Sequence, residues 1–293
     1  QIMNYPLHEY QKRMVDFAIA HPYCALFAEC GLGKSRTTLN VIARLINDCD
    51  IEKALIVAPR KVADSTWTDE VSKWDELRHL RVPRVIGAEK KRIAVLRRKA
   101  DIYVRGGDSF VWLVKFYKAK MPFDMVVLDE LTSFKSSTSL RFKAMRLVRS
   151  QFDRTIGLTG TPAPNGYLDL FGQMYCLDGG ARLGKYKTKF IDKYFLYHMT
   201  PQHFAVNMRL RPGAKEEIEK AISDICISLR AEDYLTLPDI TYIPYKVVLS
   251  DALMHQYRKF EREQLLPYAT EHCPTAIHVS CPSPLGDVAS PTI

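Results

Sequence analysis

AECGLGKSRTT, the stretch from Ala28 to Thr38, decides the fold class of this 293-residue chain. It follows an apolar run, Cys24 to Ala28, that is typical of a short buried strand, and it leads into a helical pattern of apolar residues from Leu39 onward. A strand, a glycine loop and a helix in this order form a P-loop, in which backbone N–H groups and the positive end of the helix dipole bind phosphate oxygens. The sequence therefore predicts an α/β fold that binds a nucleoside triphosphate at this loop.

The predicted nucleotide contacts are consecutive residues of the loop, namely Gly31, Leu32, Gly33, Lys34 and Ser35. The glycines let the backbone close around the phosphates, Lys34 is expected to reach the β- and γ-phosphates, and the Ser35 hydroxyl is expected to bind Mg²⁺. The chain departs from the G-x-x-x-x-G-K-[ST] pattern at one position, because Ala28 stands where the first glycine is usual. An ordinary glycine turn is the alternative, and the flanking strand and helix argue against it.

Upstream of the P-loop, the sequence predicts a helix from about His8 to Ala20. Its apolar residues share one face, so Gln11 is expected on the opposite side with its amide free. An amide carries a donor and an acceptor, which match the N6–H and N7 atoms of adenine. Gln11 is therefore a predicted adenine contact and makes ATP the expected nucleotide, while a plain surface glutamine is the alternative.

The second informative stretch is FDMVVLDELTSFKSS, in which Met125 to Leu128 form a predicted buried strand. Asp129 and Glu130 follow directly at the end of this strand. An aspartate there can hold Mg²⁺ as the Walker-B aspartate does, and the adjacent glutamate can orient and deprotonate an attacking water. Two acids at a strand end also occur by chance, but together with a P-loop they predict a catalytic set of Lys34, Asp129 and Glu130.

Two further predicted strands end in turns of the kind that α/β sheets use to bind ligands. The strand Lys53 to Ala58 ends in Pro59 to Lys61, and the strand Arg154 to Leu158 ends in Thr159 to Pro162. The second turn could sense the γ-phosphate and pass its state to a nucleic-acid groove, whereas alone Thr-Gly-Thr-Pro is only a good turn sequence.

The segment between these motifs is strongly basic. It is predicted as a strand at Arg81 to Ile86, a helix at Ala88 to Arg98 and a strand at Asp101 to Val104. The helix reads AEKKRIAVLRR, which fits either a solvated helix face or a surface that follows phosphates.

Composition narrows the class of protein. The chain carries 42 Lys and Arg against 33 Asp and Glu, a net charge of +9, which favours a polyanionic partner with nucleic acid as the first candidate. No apolar run approaches the length of a membrane span, and the first residues do not form a secretory apolar segment. The 7 cysteines form no C-x-x-C pair, so reduced thiols and a cytoplasmic location are expected.

In this order and spacing, the motifs resemble helicase superfamily two. The stretches that carry the resemblance are Gln11, AECGLGKS, LIVAPRKVADSTW, VVLDEL and GLTGTPAPN. Within the superfamily, Lys135 downstream of the acid pair and LTGTPAPNGYLDLFGQMYCLDGG resemble the Swi/Snf-type translocases of double-stranded DNA, and the compact form resembles their phage-encoded members. The resemblance covers roughly residues 5–262.

The resemblance implies a RecA-like lobe with a mainly parallel sheet flanked by helices on both faces. It implies that ATP and Mg²⁺ bind at the P-loop and the acid pair, that Pro59 and Arg60 lie beside the DNA backbone, and that Thr159 and Thr161 couple ATP to DNA. If the protein is phage-encoded, it would act in the cytoplasm of the bacterial host. The chain departs from the family at Thr132, where these motors commonly have histidine.

The resemblance also implies a domain plan. Residues 1–232 are expected to form the ATP-binding lobe, with a possible basic insertion at about 180–212. Residues 233–266 are expected to lead toward a second motor lobe in cis, which this sequence does not contain. The composition of residues 267–293, with five prolines, few charges and no periodicity, predicts a disordered or non-native tail. Because such motors place an arginine finger in their second lobe, weak activity is expected of this chain alone.

Three functions remain open at this point. The favoured one is the ATP-binding lobe of a DNA-dependent ATPase that translocates on double-stranded DNA. A helicase that separates strands is the alternative among enzymes. A module that binds ATP and DNA without catalysis is the alternative from another class.

Overall fold

The computed structural model describes residues 3–199, 205–235 and 249–263. The chain divides into two compact units, Gln1–Leu237 and Pro238–Ile293. The first unit contains the predicted ATP-binding lobe, and its end lies a few residues beyond the predicted boundary at 232. The described part of the second unit contains one helix, Asp251–Glu263. The predicted tail, 267–293, lies outside the described residues, as do residues 236–248 and 264–266 of the predicted link.

The first unit is built on a sheet of six parallel strands. In chain order, the described strands of this unit, including two that lie outside the sheet, are β1 Tyr23–Ala28, β2 Ala54–Ala58, β3 Ile102–Gly106, β4 Met125–Asp129, β5 Arg154–Thr159, β6 Phe195–Met199, β7 Ala205–Leu210 and β8 Cys226–Leu229. The order across the sheet is β3-β2-β4-β5-β1-β8, and β6 and β7 form a separate antiparallel pair. Every neighbouring pair in the six-stranded sheet is parallel.

The helices of the first unit cover both faces of this sheet. In chain order they are α1 Glu9–Ala20, α2 Lys34–Asn47, α3 Arg60–Asp64, α4 Thr66–Lys73, α5 Glu89–Leu96, α6 Phe110–Phe116, α7 Leu140–Val148, α8 Leu170–Asp178, α9 Lys187–Tyr194 and α10 Ala214–Ile222. Alternate residues of each strand point to opposite faces. In β2, Leu55 joins the core beneath α6, α7 and α8, and Ile56 joins the core beneath α1, α2 and α4. The predicted RecA-like fold is confirmed.

The predicted strand at 81–86 is wrong. Only Arg84 forms a bridge there, to Val104 of β3, with the Val85 amide donating to the Val104 carbonyl at 2.8 Å. Pro83 has no N–H, so a ladder of hydrogen bonds cannot continue through it. The segment therefore lies along the edge strand β3 without becoming a strand.

The predicted basic insertion at 180–212 contains α9 and the β6–β7 pair. Phe190 and Tyr194 of α9 are buried against the lobe, where the Phe190 ring packs on Phe171 of α8. The segment thus contributes to the core of the lobe.

The parallel sheet brings the informative turns to one edge. Ala28, Ala58, Gly106, Asp129 and Thr159 each end a strand on that edge. The P-loop, the Pro59 turn, the acid pair and the Thr159 turn therefore meet there, as parallel topology requires. No helix within the described residues is long and apolar enough to span a bilayer.

Candidate functional site

The P-loop lies between β1 and α2, with glycines where the backbone turns left-handed. Gly31 has φ +89° and Gly33 has φ +74°, a region that glycine adopts at little cost. A Cβ added at Gly33 would overlap the Gln11 amide nitrogen, so a side chain is excluded there for a second reason. α2 begins at the next residue, Lys34, and points its N-terminus toward the loop.

Lys34 reaches back across the loop. Its Nζ donates to the Ala28 carbonyl at 2.6 Å and to the Glu29 carbonyl at 3.1 Å. Ala28 is a fully buried residue of β1 and serves through its carbonyl oxygen. Because this position has ordinary strand backbone, the loop forms without the usual first glycine.

Gln11 corrects one prediction. The amide was expected to face solvent, but the residue is only 5% exposed. Its Oε1 accepts from the His8 amide at 3.0 Å, and its Nε2 donates to the Leu32 carbonyl at 3.4 Å. The reason is that α1 packs on the sheet with one side and on the P-loop with another, so the polar side is also covered. The amide does touch the P-loop, and adenine recognition by Gln11 stays a prediction that requires these bonds to exchange.

Asp129 ends β4 in a largely buried position. Burial raises the pKa of its carboxyl to about 6, the nearby Glu130 charge adds to this rise, and Lys34 opposes it. Trp67 of α4, itself fully buried, donates its indole N–H to Asp129 Oδ2 at 3.1 Å, which also lowers the pKa. Trp67 is a site residue that the sequence did not reveal, since a tryptophan at helical spacing is normally assigned to the core.

Glu130 is held by threonine hydroxyls. Thr159 Oγ1, at the end of β5, donates to Glu130 Oε1 at 3.1 Å, and Thr132 Oγ1 donates to the same oxygen. The Thr161 amide donates to Thr159 Oγ1 at 3.2 Å. Glu130 adopts φ +63°, an uncommon conformation for a residue with a side chain and one that clusters at functional sites. Thr132, the departure from the family pattern, thus acts directly on the predicted base.

The loop after the acid pair is fastened to the turn after β5. Lys135 forms an ion pair with Asp169 at 3.2 Å, and Asp169 also accepts from the Asn165 amide at 3.3 Å. At Gly172 of α8, an added Cβ would lie 2.5 Å from the carbonyl oxygens of Phe134 and Lys135. Glycine lets α8 approach this loop closely, so the two segments hold each other in place.

Pro59 and Arg60 follow β2, so they lie on the side of Asp129 away from β5. Together with Asp129 and Arg141 they line a cavity of about 250 Å³, here called the Asp129 cavity. A neighbouring cavity of about 630 Å³ shares Arg141 with it and is also lined by Lys115. Pro59 and Arg60, the predicted neighbours of the DNA backbone, therefore line a basic cavity, while Thr159, a predicted coupling residue, contacts Glu130.

The chain also matches a known protein family. The model of the SNF2-related domain matches residues 10–269. This chain belongs to the SNF2-related domain family. Protein p41 of Acyrthosiphon pisum secondary endosymbiont phage 1 is 31% identical over 264 residues, which are 88% of this chain and 57% of p41. The chromatin-remodeling ATPase INO80 of Arabidopsis thaliana is 28% identical over 160 residues, 50% of this chain and 10% of INO80.

Solved structures show the same fold. The Sulfolobus solfataricus SWI2/SNF2 ATPase core in complex with dsDNA superposes with a TM-score of 0.64 at 22% identity, covering 79% of this chain and 47% of that one. The SWI2/SNF2 ATPase core domain of the same organism gives a TM-score of 0.61 at 25% identity, with 80% and 45% covered. The SNF2-related chain thus spans about half the length of these relatives. The Swi/Snf-type resemblance and its phage-like form are confirmed.

Proposed function

We propose that this SNF2-related lobe binds ATP and Mg²⁺ and forms the ATP-binding half of a DNA-dependent ATPase that translocates on double-stranded DNA. The observation that carries the proposal is the position of Asp129. Its carboxyl group responds to the charge of Lys34 in the P-loop, and it also lines the cavity that contains Pro59, Arg60 and Arg141. One residue thus borders both the phosphate-binding loop and a basic surface.

The residues present fit ATP and Mg²⁺. The backbone at Gly31 and Gly33 has the left-handed turns that expose N–H groups to phosphate oxygens, and α2 adds its dipole. Lys34, bonded to two backbone carbonyls here, can exchange these for phosphate oxygens. Ser35 and Asp129 would hold the metal through hydroxyl and carboxylate oxygens, a donor set suited to a cation that keeps several waters. When bound, Mg²⁺ supplies positive charge that offsets the charge on the transferred phosphoryl group.

Glu130 is the proposed general base. The Thr159 and Thr132 hydroxyls hold its carboxylate at the end of β4. A carboxylate held in this way can orient an attacking water and accept its proton, a contribution of about 10²–10⁴ in rate. Thr159 also accepts from the Thr161 amide, so a change in the turn after β5 would alter the hydrogen bond between Thr159 and Glu130. This connection supports a coupling role for both threonines.

Double-stranded DNA is the proposed partner. The net charge of +9 and the arginines lining the Asp129 cavity suit a phosphate backbone. The Sulfolobus relative is described in complex with dsDNA. Because this chain spans about half of that relative, we propose that a second motor lobe in cis completes the enzyme and that this chain alone turns over ATP weakly, without stimulation by DNA.

A phosphate-release assay with and without blunt duplex DNA tests the proposal. It should be run on this chain and on a version that includes a second motor lobe. We expect DNA to stimulate the two-lobed protein, which should also displace a triplex-forming strand from duplex DNA. Displacement of one strand of the duplex itself would favour the helicase instead. ATP binding without turnover in the two-lobed protein would favour the non-catalytic module. Strong DNA-stimulated turnover by this chain alone would overturn the proposed need for a second lobe.

A further inference from the structure

A third cavity shares Arg60 with the Asp129 cavity but is not lined by Asp129. Its volume is about 500 Å³, and we call it the Arg105 cavity. It is formed between α3, α5 and the end of β3. The polar side chains that line it are those of Arg60, Asp64, Arg92, Arg105 and Ser109. Three of these five carry a positive charge and one carries a negative charge.

Arg105 is buried without being fully paired. The residue is 1% exposed, its Nε donates to the Ser109 carbonyl at 3.2 Å, and its Nη1 donates to the Val85 carbonyl. Its Nη2 has no hydrogen-bond partner among the described residues. Burial, together with the charge of Arg92, lowers the pKa of Arg105 to about 10. A buried guanidinium bonded to neutral carbonyls and facing a second cation is electrostatically costly.

Arg92 stands beside Arg105 on the same aromatic ring. Its guanidinium lies 4.0 Å from the centre of the Trp112 ring, and that of Arg105 lies 4.8 Å from it. The Nε of Arg92 is also buried and has no hydrogen-bond partner in the described part of the chain. Stacking on an indole holds a guanidinium plane in place but satisfies none of its N–H groups.

The lining acid does not balance these charges. Within residues 3–199, 205–235 and 249–263, neither Arg92 nor Arg105 forms an ion pair with Asp64. Two preoriented guanidinium groups thus line a cavity in which no carboxylate of the described residues forms an ion pair with them. Planar guanidinium groups with unused donors are suited to binding a tetrahedral oxyanion.

We propose that the Arg105 cavity binds a phosphate group, with Arg92 and Arg60 as its direct contacts and Arg105 as the buried charge behind them. Two sources share this chemistry, a backbone phosphate of DNA and free inorganic phosphate. The first source rests on the proposed function, since it extends the basic surface of the Asp129 cavity through their shared residue Arg60. The second does not depend on DNA binding.

Arg92→Gln tests the site, with Arg97→Gln as the matched control. Both residues belong to the basic segment of α5 and its C-cap, but Arg97 is exposed and does not line the cavity. In filter binding to a blunt duplex across a salt series, losing one phosphate contact should reduce the magnitude of the log–log slope by about 0.9. The affinity near 0.1 M salt should fall roughly tenfold, as expected for a charged hydrogen bond. Arg92→Lys keeps the charge and should keep the slope.

A second titration separates the two sources. Inorganic phosphate should raise the melting temperature of the parental chain more than that of Arg92→Gln. If only the DNA slope changes, the ligand is a backbone phosphate, and if only the phosphate response changes, it is free phosphate. If Arg92→Gln matches Arg97→Gln in both experiments, the proposal is wrong. If the parental chain does not bind DNA, the DNA part of the proposed function fails, and the phosphate titration still decides the cavity. Both tests are repeated with Arg105→Lys, which replaces the buried guanidinium, after the melting temperature of this variant has been measured.

Discussion

Two halves of the same sheet edge differ in how their polar side chains are satisfied. In the nucleotide half, at the ends of β1, β4 and β5, Lys34, Gln11 and Glu130 each bond to other groups of the chain. In the basic half, at the ends of β2 and β3, Arg105 and Arg92 retain buried nitrogen atoms without partners within the described chain. The first half stabilises its own geometry, whereas the second carries charge that its own carboxylates do not neutralise.

The difference indicates how each half responds to its ligand. In the nucleotide half, a ligand must replace existing bonds, so its binding can change the positions of the groups that release them. In the basic half, a phosphate would pair groups that lack partners, so its binding should stabilise the existing arrangement. Asp129 borders both halves, because it lines the Asp129 cavity and the charge of Lys34 lowers the pKa of its carboxyl.

The largest effect is expected from Glu130→Gln, which should slow turnover in the nucleotide half without changing DNA binding in the basic half. In a two-lobed version we expect turnover to fall about 10³-fold, because an amide cannot accept the proton of the attacking water. Affinity for Mg·ATP and for duplex DNA should remain. Glu52→Gln, an exposed change at the opposite edge of the sheet before β2, is the control. Parental turnover in Glu130→Gln would show that another group is the base.

Lys34→Ala should weaken nucleotide binding and leave DNA binding unchanged. We expect ATP affinity to fall on the order of 100-fold, because a charge-assisted contact to the β- and γ-phosphates is lost. Titration with a fluorescent ATP analogue measures this, and DNA binding in the same samples should be unchanged. Lys143→Ala, an exposed change on α7, should behave as the parent. Unchanged nucleotide affinity in Lys34→Ala would contradict the P-loop assignment.

Thr159→Val tests the connection inside the nucleotide half. It removes the hydroxyl that holds Glu130, so kcat in a two-lobed version should fall about tenfold while the KM for ATP changes little. Thr155→Val is a matched control, because Thr155 lies four residues earlier in β5, is fully buried, and its hydroxyl has no hydrogen-bond partner among the described residues. Equal kcat values for the two variants would mean that Thr159 does not position the base.

The smallest effect concerns Asp129 and pH. Its folded pKa of about 6 lies above the ordinary value of 3.8, so the folded state binds a proton more tightly than the unfolded state does. Stability from this group is therefore highest at low pH and falls as pH rises through 6, where the buried carboxylate becomes charged.

Without metal, Asp129→Asn should raise the free energy of unfolding by on the order of 1 kcal/mol at pH 8. The gain should shrink toward pH 5, and denaturant unfolding in EDTA at both pH values checks this. A gain that does not depend on pH would mean that Asp129 is not the titrating group.

The parts of the site that the sequence predicted are those encoded by neighbouring residues. The P-loop and the acid pair are short, contiguous motifs at strand ends, and parallel topology brings strand ends together without further information. Continuous apolar runs likewise predicted buried strands, and the resemblance to helicase superfamily two implied a mainly parallel sheet with helices on both faces. Thr159 and Thr161 could be assigned to a turn, but their contact with Glu130 depends on the pairing of β4 with β5.

The parts that the sequence missed depend on contacts between distant residues. Trp67 and Asp129 are 62 positions apart, and helical spacing alone cannot distinguish a core indole from one that donates a hydrogen bond. Gln11 was placed on the solvent side because periodicity identifies the face toward the sheet and not a second packing partner. No role was predicted for Arg105, which follows the predicted strand Asp101 to Val104, because its burial depends on the 81–86 segment and α6, which cover it.

The order of strands in the sheet has a consequence for synthesis of the protein. β1 carries the P-loop and is the first strand along the chain, but its two neighbours, β5 and β8, begin at Arg154 and Cys226. A growing chain that ends before Arg154 therefore contains the P-loop sequence without either neighbour of its strand. Such distant pairings form late because the intervening chain must first be ordered. The proposed binding of ATP would stabilise only a lobe that is nearly complete, so the emerging chain would reach that point without help from its nucleotide.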